Sequence, residues 1–142
     1  MRPPLLALAA LLVAGCAVEP TSPAPDRPPG GEEIPATFAS EADYRQRREA
    51  VAARLAAAIG EATAAEVSAC RAVPVGEQAC GGPSAFAVYS AESADAGEVE
   101  RLAGVLVALD VVANRQFEYA STCMLQAPPP LALRDGRCLA DR

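Results

Sequence analysis

A chain of 142 residues with 18 acidic and 12 basic side chains carries a formal charge of −6 at neutral pH. That balance is the wrong sign for a phosphate backbone and argues against nucleic acid as a partner, and against direct adsorption to anionic lipid. All 12 basic residues are arginine and histidine is absent, which removes Ser-His-Asp triads, Cys-His pairs, histidine metal sites, Ser-Lys dyads and Schiff-base lysines.

At the N-terminus Arg2 is the one early charge, residues 5–14 are apolar, and the stretch closes on Val13-Ala14-Gly15-Cys16. A helix that crosses a bilayer needs about 20 apolar residues, so this run reads as a secretion leader rather than a span. The tetrapeptide has the form of a lipobox, and the N-terminus resembles bacterial lipoprotein precursors. The resemblance implies diacylglycerol on the Cys16 thiol, cleavage that removes residues 1–15 as a signal peptide, and a further acyl chain on the new amine. Each buried methylene contributes about 0.8 kcal/mol, so two or more chains anchor stably where one is marginal. With Ala17 after the cysteine, the same resemblance implies the periplasmic face of the outer membrane, or the cell membrane in a monodermic source. The expected membrane contact runs through the lipid anchor alone.

Residues 16–36 form the lipidated cysteine and a tether, rich in proline and poor in large apolar side chains, that is expected to be disordered and partly polyproline II. At about 3.1 Å per residue such a tether reaches on the order of 60 Å. Residues 37–142 are then the folded domain. Ser40 caps a first helix, with Glu41 and Asp43 in its first turn. Tyr44, Val51, Leu55, Ile59, Ala62 and Ala69 recur at helical steps, interrupted by Gly60 at about 1 kcal/mol. Arg45, Arg47 and Arg48 read as its solvated face. A second helix opens at Asp95 with Glu98 as a capping box. Val99, Leu102, Leu106, Leu109 and Ala113 line one face of it, with Gln116 as the polar intrusion. Two such helices predict a mainly α fold, an antiparallel two-helix hairpin with disulfide-closed loops and little or no sheet.

With Cys16 used by lipid, the even remainder of Cys70, Cys80, Cys123 and Cys138 in an exported chain reads as two disulfides. Sequence neighbours favour Cys70 with Cys80 and Cys123 with Cys138, each closing a turn-rich loop. The absence of any C-x-x-C spacing argues against zinc and against redox catalysis. Staples of this kind suit a small domain with a thin, alanine-rich core. Between and after the helices, Cys70 precedes Val73-Pro74-Val75-Gly76, then Cys80-Gly81-Gly82-Pro83 and Val88-Tyr89-Ser90, with the closing pair Cys123 and Cys138. Residues 66–138 resemble a group of small bacterial exported proteins and lipoproteins of uncharacterised function. The resemblance supports the domain limits and the disulfides, and implies no site residue. The Cys-Gly-Gly-Pro segment reads as a tight turn before it reads as an anion nest.

Carboxylate chemistry is the one enzyme class left open. Glu92-Ser93 resembles the Glu-Ser pair of lytic transglycosylases, but those need an aromatic-lined sugar groove, and this chain is 4% aromatic without tryptophan. The expectation is therefore a lipid-anchored envelope protein that is not an enzyme, binds or scaffolds a periplasmic protein partner, and uses no cofactor or metal. The alternatives are an inhibitor of an exported hydrolase acting through a closed Cys70 to Cys80 loop, and a small glycan-cleaving enzyme.

Overall fold

The computed structural model describes residues 33–141. The lipobox, Cys16 and most of the 16–36 tether lie outside the described residues. Helix α1 spans Glu41–Ile59, and the Ser40 Oγ accepts the Asp43 N–H at 3.2 Å. It stops at Gly60, whose φ of +59° closes the last turn with a 3.0 Å bond from its N–H to the Ala56 carbonyl. The expected stripe through Gly60 to Ala69 is thus overturned: glycine takes the left-handed turn that ends the helix, and Ala62 and Ala69 lie beyond it in the chain leading to β1. Helix α2 spans Ala96–Phe117, and Asp95 accepts the Glu98 N–H at 3.2 Å. The Glu98 carboxylate is held by Arg101 at 2.7 and 2.8 Å rather than turning back to the cap. Arg54 faces Glu98 and Arg48 faces Asp110, so the helices lie antiparallel.

Two small sheets overturn the expectation of a helical hairpin with little or no sheet. β1 (Cys70–Val75) pairs antiparallel with β2 (Ala85–Ser90), in register from Cys70 opposite Ser90 to Val75 opposite Ala85. Pro74 is tolerated because a two-stranded sheet leaves one edge of each strand unpaired. β3 (Leu131–Arg134) pairs with β4 (Arg137–Ala140) across Asp135-Gly136. Both turn residues have positive φ, 51° and 70°, as a type I′ hairpin turn requires. On the outer edge of β4, residues 62–64 add a partial third strand. The Cys138 N–H bonds the Ala62 carbonyl and the Ala64 N–H bonds the Gly136 carbonyl, both at 2.9 Å.

The disulfides join Cys70 to Cys138 and Cys80 to Cys123, each with a Cα–Cα distance of 5.4 Å. Pairing of sequence neighbours is thereby corrected, and its failure is geometric. Cys70 sits at the open end of the β1–β2 hairpin and Cys80 in the loop at its far end. A six-residue strand spans about 20 Å, and a disulfide tolerates no more than about 7 Å between Cα atoms.

The main core lies between the helices and the β1–β2 sheet. Val99, Leu102, Leu106 and Leu109 of α2 are almost fully buried against Val51 and Leu55 of α1 and Val73 and Tyr89 of the sheet. Aromatic rings are sparse but concentrated: Phe38, Tyr44, Phe117 and Tyr119 form one cluster with centroids 5.2 to 6.4 Å apart. Gln116 clips Phe38 into it, accepting its N–H at 2.7 Å and donating to its carbonyl at 2.8 Å. Ile34 packs on the same core. A smaller cluster gathers Ala62, Cys70 and Cys138 beneath Leu131 and Leu133.

This packing predicts that Leu106→Ala costs about 2–5 kcal/mol, the range for a buried leucine. Arg47 is half-exposed and, among the described residues, pairs with Asp43, one turn earlier on α1, at 2.8 Å. Arg47→Ala should therefore stay within about 0.5 kcal/mol. Urea denaturation of the two variants side by side checks both, and equal losses would mean that the faces of α1 and α2 are assigned wrongly.

Candidate functional site

One charged side chain is buried in the core face of α2. Asp110 is 4% exposed, and its carboxylate takes hydrogen bonds from two other elements, α1 and the β1–β2 loop. The Tyr44 hydroxyl donates at 2.8 Å, the Arg48 guanidinium at 2.8 and 3.3 Å, and the Glu77 backbone N–H at 3.1 Å. A carboxylate satisfied by four donors is stable in a core that would otherwise reject it. The cluster thus ties α1, α2 and the β1–β2 loop at one point. Gly76 makes the approach possible: its φ is +69°, and a Cβ there would stand 2.6 Å from the Asp110 Oδ2. The glycine of the Val-Pro-Val-Gly segment is therefore required by the carboxylate packed against it.

Sequence reading misses this cluster. It treats Arg45, Arg47 and Arg48 as one solvated face and names Gln116 as the polar intrusion, whereas Arg48 turns inward and Asp110 is the buried charge. A signal was present: Asp110 is the lone charge in the apolar run 105–112, and Tyr44 and Arg48 stand one turn apart on α1.

Burial, and then the hydrogen bond to Asp110, push the Tyr44 hydroxyl up to about 12 from its ordinary 10.0. The Asp110 hydrogen bond holds the Arg48 proton more firmly than usual. Tyr89 is raised by burial and by its bond to Glu100, and Tyr119 by desolvation and the nearby Glu41 charge. A tyrosine whose folded pKa exceeds its unfolded value stabilises the protein fully below the unfolded pKa, and that contribution is lost as pH rises through the folded one. All three tyrosines of the chain act in this direction. The tyrosine contribution to stability should then be level up to about pH 10 and fall between about pH 10 and 12. Tyrosinate absorbance of folded and urea-unfolded protein checks this; coincident titration curves would refute it.

Beyond Gly76, residues 76–84 form the loop that carries Cys80. Gly81 and Gly82 have φ of +90° and +83°. Their N–H groups are used internally, Gly81 to the Gln78 carbonyl at 2.9 Å and Gly82 to the Glu77 carboxylate at 3.0 Å. The Cys-Gly-Gly-Pro segment is accordingly a turn, with those donors turned away from any outside anion. Asn114 of α2 anchors the loop through the Glu77 carbonyl at 2.9 Å. An open groove of about 300 Å³ separates loop from helix, lined by Glu77, Gln78, Cys80, Gly81, Asn114 and Arg115.

Past α2, residues 122–130 lie on the surface without regular secondary structure. Cys123 fastens the start of this segment to Cys80. Gln78 holds it as well, donating to the Met124 carbonyl at 2.9 Å and accepting from the Ser121 hydroxyl at 3.0 Å. At the other end the Asp141 N–H bonds the Pro130 carbonyl at 2.8 Å, beside β3. Between these ties Met124 is 66% and Leu125 90% exposed, followed by Pro128-Pro129-Pro130. Glu92 does something simpler than catalysis suggests: its carboxylate accepts the Ala65 N–H at 2.8 Å and anchors a loop. The ring expected from a Cys70 to Cys80 disulfide does not exist, because those cysteines pair elsewhere. Among the described residues no group of three or more Cys, Asp, Glu or His side chains is placed to hold a metal ion, and no helix is long and apolar enough to cross a membrane.

No family model, no curated protein and no solved structure matches this chain.

Proposed function

We propose that this chain is a lipid-anchored, non-enzymatic protein of the cell envelope that binds a periplasmic protein through residues 122–130. The observation that carries the reading is the display of Met124 and Leu125 on a segment pinned at both ends. Scattered exposed apolar residues are ordinary, but adjacent ones on a held, proline-bearing segment form a preorganised ligand. Three successive prolines set φ near −65° and favour polyproline II, a form that aromatic-lined grooves accept at low entropic cost. No charge interrupts the chain from Tyr119 to Leu133, although 21% of all residues are charged. The partner chemistry is thus an apolar, aromatic-lined groove. The lipobox and the two disulfides support an exported, anchored location.

Full-length protein carrying a photo-crosslinking residue at position 125, irradiated in the intact envelope, tests the contact. A discrete adduct from position 125, absent when the crosslinker stands at exposed position 45, is expected. Adducts from neither position, or the same adducts from both, would overturn it. Cys16→Ser tests the anchor: acyl labelling and membrane retention should both disappear, and wild-type protein that takes up no acyl label would sink the localisation.

A further inference from the structure

The two disulfides occupy opposite surroundings. Cys70 and Cys138 are 3% and 4% exposed and form the centre of the smaller core cluster. Cys80 and Cys123 both lie at the surface. Cys80 also lines the open groove against α2, a groove whose charged members are Glu77 and Arg115. Exchange needs access for an attacking thiolate, and exposed disulfides are the labile ones.

We propose that Cys80–Cys123 is an exchange site for an exported dithiol reductant, while Cys70–Cys138 holds the domain folded. The reductant's thiolate attacks the Cys123 Sγ, the S–S bond breaks, and its electron pair leaves on the Cys80 Sγ, which then takes a proton from water. The second thiol of the reductant attacks the mixed disulfide and releases Cys123. Two electrons pass to the protein, and the reductant leaves as its own disulfide. Once the bond is open, the hydrogen bonds to Gln78 are what remains of the tie between the 76–84 loop and the start of segment 122–130. The reduced protein therefore presents that segment less rigidly, since the loop and the segment belong to no common sheet.

Full-length protein in detergent, treated with dithiothreitol or with thioredoxin and its reducing system, then alkylated and mapped by mass spectrometry, reads the exchange directly. Cys80 and Cys123 should be labelled at least about tenfold faster than Cys70 and Cys138, while a cooperative thermal transition persists. Simultaneous labelling of all four, prior labelling of Cys70 and Cys138, or loss of the transition with the first pair would overturn the proposal. Exchange and docking fail separately: thiol mapping reports the first, and the adduct at position 125 the second.

Discussion

Asp110→Ala is expected to cost about 3 kcal/mol or more, toward the range seen when one partner of a buried ion pair is removed. The loss strands three donor groups, four hydrogen bonds in all: the Tyr44 hydroxyl, the Arg48 guanidinium and the Glu77 N–H. The Arg48 side chain is 35% exposed and recovers part of its solvation from water, which keeps the estimate at the lower end. Against a total stability of about 5–15 kcal/mol for such a domain, the shift in urea midpoint will be large. Gly76→Ala should act on the same point from the other side, since the new methyl meets the carboxylate and the left-handed backbone resists a side chain. The double variant Asp110→Leu with Arg48→Met should be less destabilised than Asp110→Ala, because it leaves no buried charge without its partner. A double-mutant cycle measures that coupling. An Asp110→Ala protein within about 0.5 kcal/mol of wild type would show that the cluster holds nothing together.

Removing the buried disulfide is the second large effect. Cys70 and Cys138 are 68 residues apart, and closing a loop of that length in the unfolded chain corresponds to about 4 kcal/mol in the chain-entropy model. Cys80–Cys123 lies inside this loop, shortens the effective ring, and brings the expected loss nearer 3–4 kcal/mol. Vacating the sulfur positions between Ala62, Leu131 and Leu133 adds to that loss. The 43-residue separation of Cys80 and Cys123 gives nearly the same entropic contribution, about 4 kcal/mol. It is therefore the packing lost around the buried sulfurs that should make Cys70→Ala with Cys138→Ala lower the denaturation midpoint more than Cys80→Ala with Cys123→Ala, whose sulfurs are exposed. Equal midpoints for the two double variants would place the structural staple elsewhere. The comparison also bears on exchange, because a bond that can open in the folded protein must be the one the fold needs less.

Both helices were legible because their signals are local. Ser40 with Asp43 and Asp95 with Glu98 are caps written within four residues, and the Val99-Leu102-Leu106-Leu109 spacing defines a core face without knowledge of what it meets. The β3–β4 hairpin also had a local signature, Asp-Gly between two short apolar stretches, yet the expectation took it only as a turn inside a disulfide loop. The β1–β2 hairpin was harder to see. Its strands are separated by a nine-residue loop, and Pro74 weakens the strand pattern. Arg48 was grouped with its solvent-facing neighbours because charge and helical position are all a sequence displays; its inward turn depends on Asp110, 62 residues away.

What the sequence by itself determined were where α1 and α2 begin, which face of α2 is apolar, and that Cys70, Cys80, Cys123 and Cys138 end up in disulfides. The first two depend on residues within one or two turns, where spacing and side-chain chemistry decide the outcome, and the third on the even number of cysteines. Tertiary structure alone decided which cysteine meets which, because extension of β1 carries Cys80 away from Cys70 while β4 returns Cys138 to it. It also decided that Asp110 finds Arg48, Tyr44 and the Glu77 N–H around a glycine that admits them, and that Leu125 is left facing water. Those contacts join elements tens of residues apart, and their free energies arise only once the helices and both hairpins are packed together.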